Sequence, residues 1–310
     1  MENIDEEVID LIGKIKEKYN TQGQNFKSYL EGLLYQDYTN YWDYIAVDSL
    51  LTLQKPKTLI PDEMIFIIYH QITELYFKLA LHEFEQLSAK AKNMDVNFFA
   101  ERVKRINAYF NNLTHSFDIM VDGMEPEQFL KFRMSLLPAS GFQSAQYRKI
   151  EMFATSFVRL VDKNKRDELK DKTIEEQFEF IYWQAGATEA ETGKKTLTLT
   201  KFQQKYGDEF LRIAKQNVDL NLWAIYSSMS EIDKQNQNLI DELKKLDLNV
   251  NVNWPLMHYK SAVKYLQKPK EDVAATGGTN WQKYLPPRFQ LRIFYPDLFT
   301  QDELANWGKF

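Results

Sequence analysis

Phe66-Ile67-Ile68-Tyr69-His70-Gln71-Ile72-Thr73-Glu74-Leu75-Tyr76-Phe77-Lys78 lies in a stretch with no proline between Pro61 and Pro126 and no glycine before Gly123. Apolar residues recur through it at helical spacing, so it reads as the middle of an extended amphipathic helix. At about 3.6 residues per turn, Phe66, His70, Thr73 and Phe77 fall on one face. A histidine on an apolar stripe is most often a core residue with one satisfied hydrogen bond. His70 acquires a functional reading only from residues elsewhere in the chain.

Working outward, 310 residues with 44% hydrophobic and 14% aromatic content are enough for a substantial core. The net charge of −5 is spread over interleaved acids and bases, which argues against a nucleic-acid or anionic-membrane surface. With no cysteine, disulfides, thiolate-ligated haem, iron–sulfur clusters and zinc–thiolate sites are excluded. Residues 1–18 are acidic and amphipathic, without a basic and then apolar leader, and no run approaches the roughly 18 apolar residues of a membrane span. A soluble cytoplasmic protein is expected.

Eleven glycines and the lack of proline between Pro138 and Pro255 favour long helices over the frequent turns of a β protein. The pattern predicts helices over 3–20, 25–37, 46–53 and 62–92, then from Asp95 to the Asp122-Gly123 stop. Further helices are expected after Glu125-Pro126 and over 143–162, 173–184, 201–215 with Thr200 as cap, 217–246 and 254–267. The fold class is all-α: one large helical domain over 1–310 with long antiparallel helices, and a small inserted helical pair at about 165–215.

The chemistry rests on four histidines and their surroundings. His82 and His115 stand among charged or polar neighbours and read as surface residues. His258 follows Trp254-Pro255-Leu256-Met257 at the start of a helix, upstream of Ala275-Thr276-Gly277-Gly278-Thr279, which holds the chain's single Gly-Gly pair. Adjacent glycines suit a close approach to a ligand, and a plain loop would use them too. Arg133, in Phe129-Leu130-Lys131-Phe132-Arg133, meets either a protein carboxylate, the commoner case, or a ligand carboxylate, which its planar fork suits.

Tyr41-Trp42-Asp43-Tyr44, Asp48 to Gln54, Phe66 to Gln71, Phe132-Arg133, Ser140-Gly141-Phe142-Gln143-Ser144, Trp254 with His258, and Thr276-Gly277-Gly278 resemble, in that order, the tryptophan 2,3-dioxygenase family. The likeness is dense over about 41–83, 126–151 and 254–281 and thin at the start and across 160–250. It implies an all-helical homotetramer whose helices surround a haem b pocket with ferrous iron in the active form. The reaction implied is opening of the indole ring of L-tryptophan by O2 to N-formylkynurenine, the first step of the kynurenine pathway.

By the same resemblance His258 is the axial ligand of the haem iron, with Trp254 and Ser140 beside the cofactor, and His70 is the distal catalytic histidine facing the indole N–H. Phe66 walls the indole pocket, Arg133 and Phe129 stand at the substrate carboxylate, and Thr276 at the amino-acid end. Tyr41 and Tyr44 match tyrosines contributed by a neighbouring subunit.

The chain departs from the family pattern at four places. Phe129 stands where a tyrosine is common, Pro255-Leu256-Met257 replace residues that include an arginine, Ala275 replaces a glycine, and a few extra residues occur near Pro269 to Asp272. They leave open a relative that oxidises another indole. A non-catalytic helical scaffold, with both histidines structural, is the alternative of another class.

Overall fold

A computed structural model describes residues 5–136, 141–188, 194–266 and 286–309. They are all-α, with isolated bridges between Val161 and Ile181 and between Thr188 and Lys195 but no strand among the described residues. No described helix is long and apolar enough to cross a membrane. The chain divides into two compact units, residues 1–54 and 55–310.

The first unit holds helices Glu6–Thr21 and Phe26–Leu33, capped by the side chains of Asp5 and Asn25, and the short turns Tyr41–Tyr44 and Val47–Leu50. Ala46, in the left-handed region at φ 50°, separates those turns. None of the described residues of this unit is buried. The helix expected over 25–37 stops at Leu33, and Tyr41–Tyr44 was not anticipated.

In the second unit the long helix is Asp62–Ala89, paired with Val96–Ser116, whose first turn is capped by the Asp95 carboxylate accepting from Phe98 N at 2.8 Å. Tyr69 Oη lies 3.3 Å from Leu113 O, while Glu83 binds Arg102 at 3.0 Å and Arg105 at 2.9 Å, so the two helices run antiparallel. Ala145–Ala154 lies along the long helix in the same direction: Gln146 Nε2 donates to Glu74 O at 2.7 Å, and the Phe77–Tyr147 and Phe84–Phe153 rings are 5.5 and 6.0 Å apart. Between these helices Phe77, Phe84, Phe99 and Phe110 are buried. Each such side chain contributes about 1.5–3 kcal/mol by leaving water.

The region expected as an inserted pair contains Arg166–Leu169, Ile174–Phe178, Tyr182–Gly186 and Leu197–Gln216. Its Phe178, Trp183, Phe202 and Phe210 belong to the same buried cluster as Phe77 and Phe84. Its last helix starts one turn earlier than expected. Thr196, not Thr200, is the cap, accepting from Leu199 N at 3.3 Å, and Thr200 Oγ1 donates back to Thr196 O.

The helix expected over 217–246 is three: Leu222–Ser228, Glu231–Lys234 and Gln237–Leu248. Asn221, Ser230 and Asn236 each accept a hydrogen bond from the N–H three residues ahead, restarting the helix each time. Gln237–Leu248 then runs through a π-helical segment, Asn249–Asn253, into Trp254–Leu266. The segment 286–309 is held to this body by a buried cluster in which Glu151 accepts from Arg148 at 2.9 Å and from Arg292, with the Tyr182 hydroxyl among them.

Candidate active site

The 62–89 and 254–266 helices each present a histidine held in the same way. His70 Nδ1 lies 2.7 Å from Phe66 O, and His258 Nδ1 lies 3.1 Å from Trp254 O, each the carbonyl one turn earlier. A carbonyl only accepts, so each Nδ1 carries the proton and each Nε2 keeps its lone pair. Burial pushes the His258 pKa down to about 4, and the nearby His70 disfavours its charged form further. Burial also lowers the His70 pKa, although the residue is exposed. Its ring is open to solvent yet walled by enough protein to disfavour charge. Both imidazoles are neutral at pH 7.

Aromatic rings join the two. The Phe66 ring centroid is 4.0 Å from that of His70, 5.7 Å from Phe132 and 6.3 Å from Phe129. His258 packs 4.6 Å from both Phe117 and Trp254. Phe117 lies 5.7 Å from Tyr69, whose ring is 6.3 Å from His70. A continuous aromatic wall therefore runs from one histidine to the other.

Phe129 packs against Phe132 at 5.5 Å and Tyr265 at 4.7 Å, and the Tyr265 hydroxyl is directed to Val121 O and Met124 O. Arg133, 4% exposed, follows Phe132 at the start of the turn Arg133–Leu136, and burial lowers its pKa. Phe66, His70, Phe129, Trp254 and His258 are thus brought together, with Arg133 adjoining Phe132. Tyr41 and Tyr44, in the first unit, are 74% and 82% exposed. Ser140 and Thr276 lie outside the described residues. His82 and His115 are exposed, as expected.

Sequence reasoning missed Phe117 and Tyr69 as parts of this wall. Phe117 continues the spacing Val103, Ile106, Phe110, Leu113 of buried residues in its helix, which was the signal available. The donor set suits a porphyrin iron. His258 is a neutral imidazole with a clamped Nδ1, an uncommitted Nε2 and aromatic surroundings, the arrangement in which histidine serves as an axial ligand.

Residues 29–245 match the family described as tryptophan 2,3-dioxygenase. Phe66, His70, Phe129 and Arg133 fall inside that stretch, and Trp254 and His258 beyond it. A Shewanella woodyi protein of that name is 35% identical over 136 residues, 43% of this chain and 47% of the relative. One from Bradyrhizobium diazoefficiens is 38% identical over 112 residues, covering 36% and 40%, and one from Herpetosiphon aurantiacus 41% over 113 residues, covering 36% and 43%. The chain spans less than half the length of the curated relatives it matches.

Proposed function

Because the chain belongs to the tryptophan 2,3-dioxygenase family, we propose that it is a haem-dependent dioxygenase that converts L-tryptophan and O2 to N-formylkynurenine, the opening step of tryptophan catabolism by the kynurenine route. The carrying observation is the pair of neutral, Nδ1-clamped histidines linked by one aromatic wall. His258 would hold the iron of haem b through Nε2, and by the family resemblance Trp254 and Ser140 would stand beside the cofactor. The haem, when bound, supplies the oxygen chemistry.

The chain's own residues orient the substrate. His70 Nε2 accepts the indole N–H, a role open to neutral imidazole only, Phe66 walls the ring and excludes water, and Phe129 stands at the carboxylate end. Arg133 grips the substrate carboxylate with its fork, and Thr276 meets the amino-acid end. Holding both ends fixes indole C2–C3 for attack.

The two units act as one catalytic domain, cytoplasmic and assembled into a homotetramer in which Tyr41 and Tyr44 complete a neighbour's site. Their exposure, in a unit that buries no described residue, supports that reading. A second reading, oxidation of another indole, is favoured by Phe129, whose surroundings are aromatic.

The test is haem reconstitution followed by absorbance detection of N-formylkynurenine from L-tryptophan under reducing conditions. A Soret band that shifts with carbon monoxide, together with turnover, is expected. A colourless protein would leave the helical scaffold, and a haem protein that turns over other indoles but not L-tryptophan would establish the second reading.

A further inference from the structure

We propose that the π-helical segment Asn249–Asn253 is a register device that turns His258 onto the buried face of its helix, and that Tyr147, Asn107 and Asp247 are positioning residues that hold it. The inference rests on the proposed reading of His258 as the iron ligand.

The geometry follows from helix periodicity. Gln237–Leu266 is one helical run with Leu239, Leu243 and Leu246 buried before the π segment and Trp254 and Tyr265 buried after it. At about 100° per residue, an unbroken α-helix would put His258 about 120° and Tyr265 about 100° away from the line of Leu246. One residue absorbed in the wider turn brings both to within about 20° of that line. Trp254 shifts by the same amount, so its ring and the His258 ring reach Phe117 together.

The sequence leaves this turn one donor short. Trp254 N–H donates to Asn249 O, the π pattern. The next bond of that pattern would run to Val250 O from Pro255, which has no N–H. Tyr147 fills the gap, its hydroxyl donating to Val250 O at 2.7 Å from the 145–154 helix. A proline and an external hydroxyl together stop the turn from tightening.

The three asparagines of Asn249-Val250-Asn251-Val252-Asn253 are tied down separately. Asn249 Nδ2 donates to Asn107 Oδ1 at 3.0 Å, and Asn107 Nδ2 donates to Glu242 O at 2.9 Å. Asn253 Nδ2 donates to Asn249 Oδ1 at 2.9 Å. Asn251 Nδ2 donates to Asp247 Oδ1 at 2.7 Å, while Asp247 Oδ2 accepts from Phe294 N and Tyr295 N at 2.8 and 2.9 Å. Helix 96–116, helix 145–154 and the segment after Pro286 thus converge on this stretch.

The test uses the full chain, titrating haem into apoprotein and reading the iron–histidine vibrational band of the ferrous form, with circular dichroism as the folding control. Tyr147→Phe should stay folded, weaken haem binding by about 10-fold and shift that band. A purely structural hydroxyl would lower thermal stability and leave the band in place, which would overturn the proposal. Deleting Asn251 should remove the extra residue and leave a straight helix with His258 still within about 20° of the Leu246 line, so haem affinity and the band should be kept. Inserting an alanine after Val252 of the intact chain should instead turn His258 by about 100° and weaken haem binding by about 100-fold, and deleting Asn251 from that variant should restore it. A folded insertion variant with unchanged affinity and band would also overturn the proposal. If the insertion does not fold, Tyr147→Phe decides alone. His258→Ala separates the premises. If it abolishes the band while Tyr147→Phe and the insertion keep theirs, only the register device falls; if it keeps the band, the ligand reading falls and the device with it.

Discussion

Asp247→Asn should stabilise the folded chain progressively as pH rises. Asp247 is fully buried, accepts three hydrogen bonds, and has its pKa raised by burial to about 7. The unfolded carboxyl titrates near 3.9. Between these values the folded state holds a proton that the unfolded chain releases, so stability falls as pH rises from about 4 to 7 and the loss is complete above 7. The difference amounts to about 4 kcal/mol, of which about 2.5 kcal/mol accrues between pH 5 and pH 8. Asparagine keeps an oxygen for the two backbone amides. Asn251, whose Oδ1 has no hydrogen-bond partner, can turn its amide over to accept from the new NH2 group.

His258 titrates with the opposite sign. Its folded pKa of about 4 lies below the usual value, so its contribution is full above about 6.5 and lost as pH falls toward 4. It is common to both proteins and cancels in their difference. Urea unfolding at fixed protein concentration and at pH 5, 6.5 and 8 measures the gap. A gap that stays constant or narrows with rising pH would refute the titration.

Arg133→Lys should keep fold and haem but weaken L-tryptophan binding by about 1.5–3 kcal/mol, measured by equilibrium titration, with ligands lacking the carboxylate unaffected. Mixing that variant with Tyr44→Phe in one oligomer should recover some intact sites, and no recovery in proven mixtures would place Tyr44 in its own chain's site. Phe129→Tyr should tighten L-tryptophan binding by up to about 1.5–3 kcal/mol while indole changes little. Weaker binding of both would mean that the rings of Phe66, Phe132 and Tyr265 leave the hydroxyl no partner.

The long helix was legible because its apolar period is unbroken and its start is marked by Pro61-Asp62. Breaks made by side chains were less so. Asn221, Ser230 and Asn236 interrupt 217–246 although the apolar spacing continues, because each offers the backbone a competing local hydrogen bond. The π segment fell between two expected helices. Its stability comes from Asn107, Tyr147 and Asp247, and two of these are more than 100 residues away, where no local pattern reaches. At the candidate site, motif resemblance singles out His70, Phe66 and Phe129 but not Phe117, since an aromatic at core spacing looks the same whether it packs on leucine or on histidine.

In the proposed homotetramer the first unit would make the chain's order depend on concentration. Glu6–Thr21 is a 16-residue helix with no buried residue, close to the length at which an isolated helix is marginal in water. Val8, Ile9, Leu11, Ile12 and Ile15 are all exposed on it. Such a segment gains stability by mass action from any surface that covers it, and in the proposed homotetramer that surface would be the protein itself. Amide hydrogen exchange in residues 5–54 would then slow as protein concentration rises, while the buried face of the 96–116 helix stays protected at every dilution, so that one end of the chain records its own assembly.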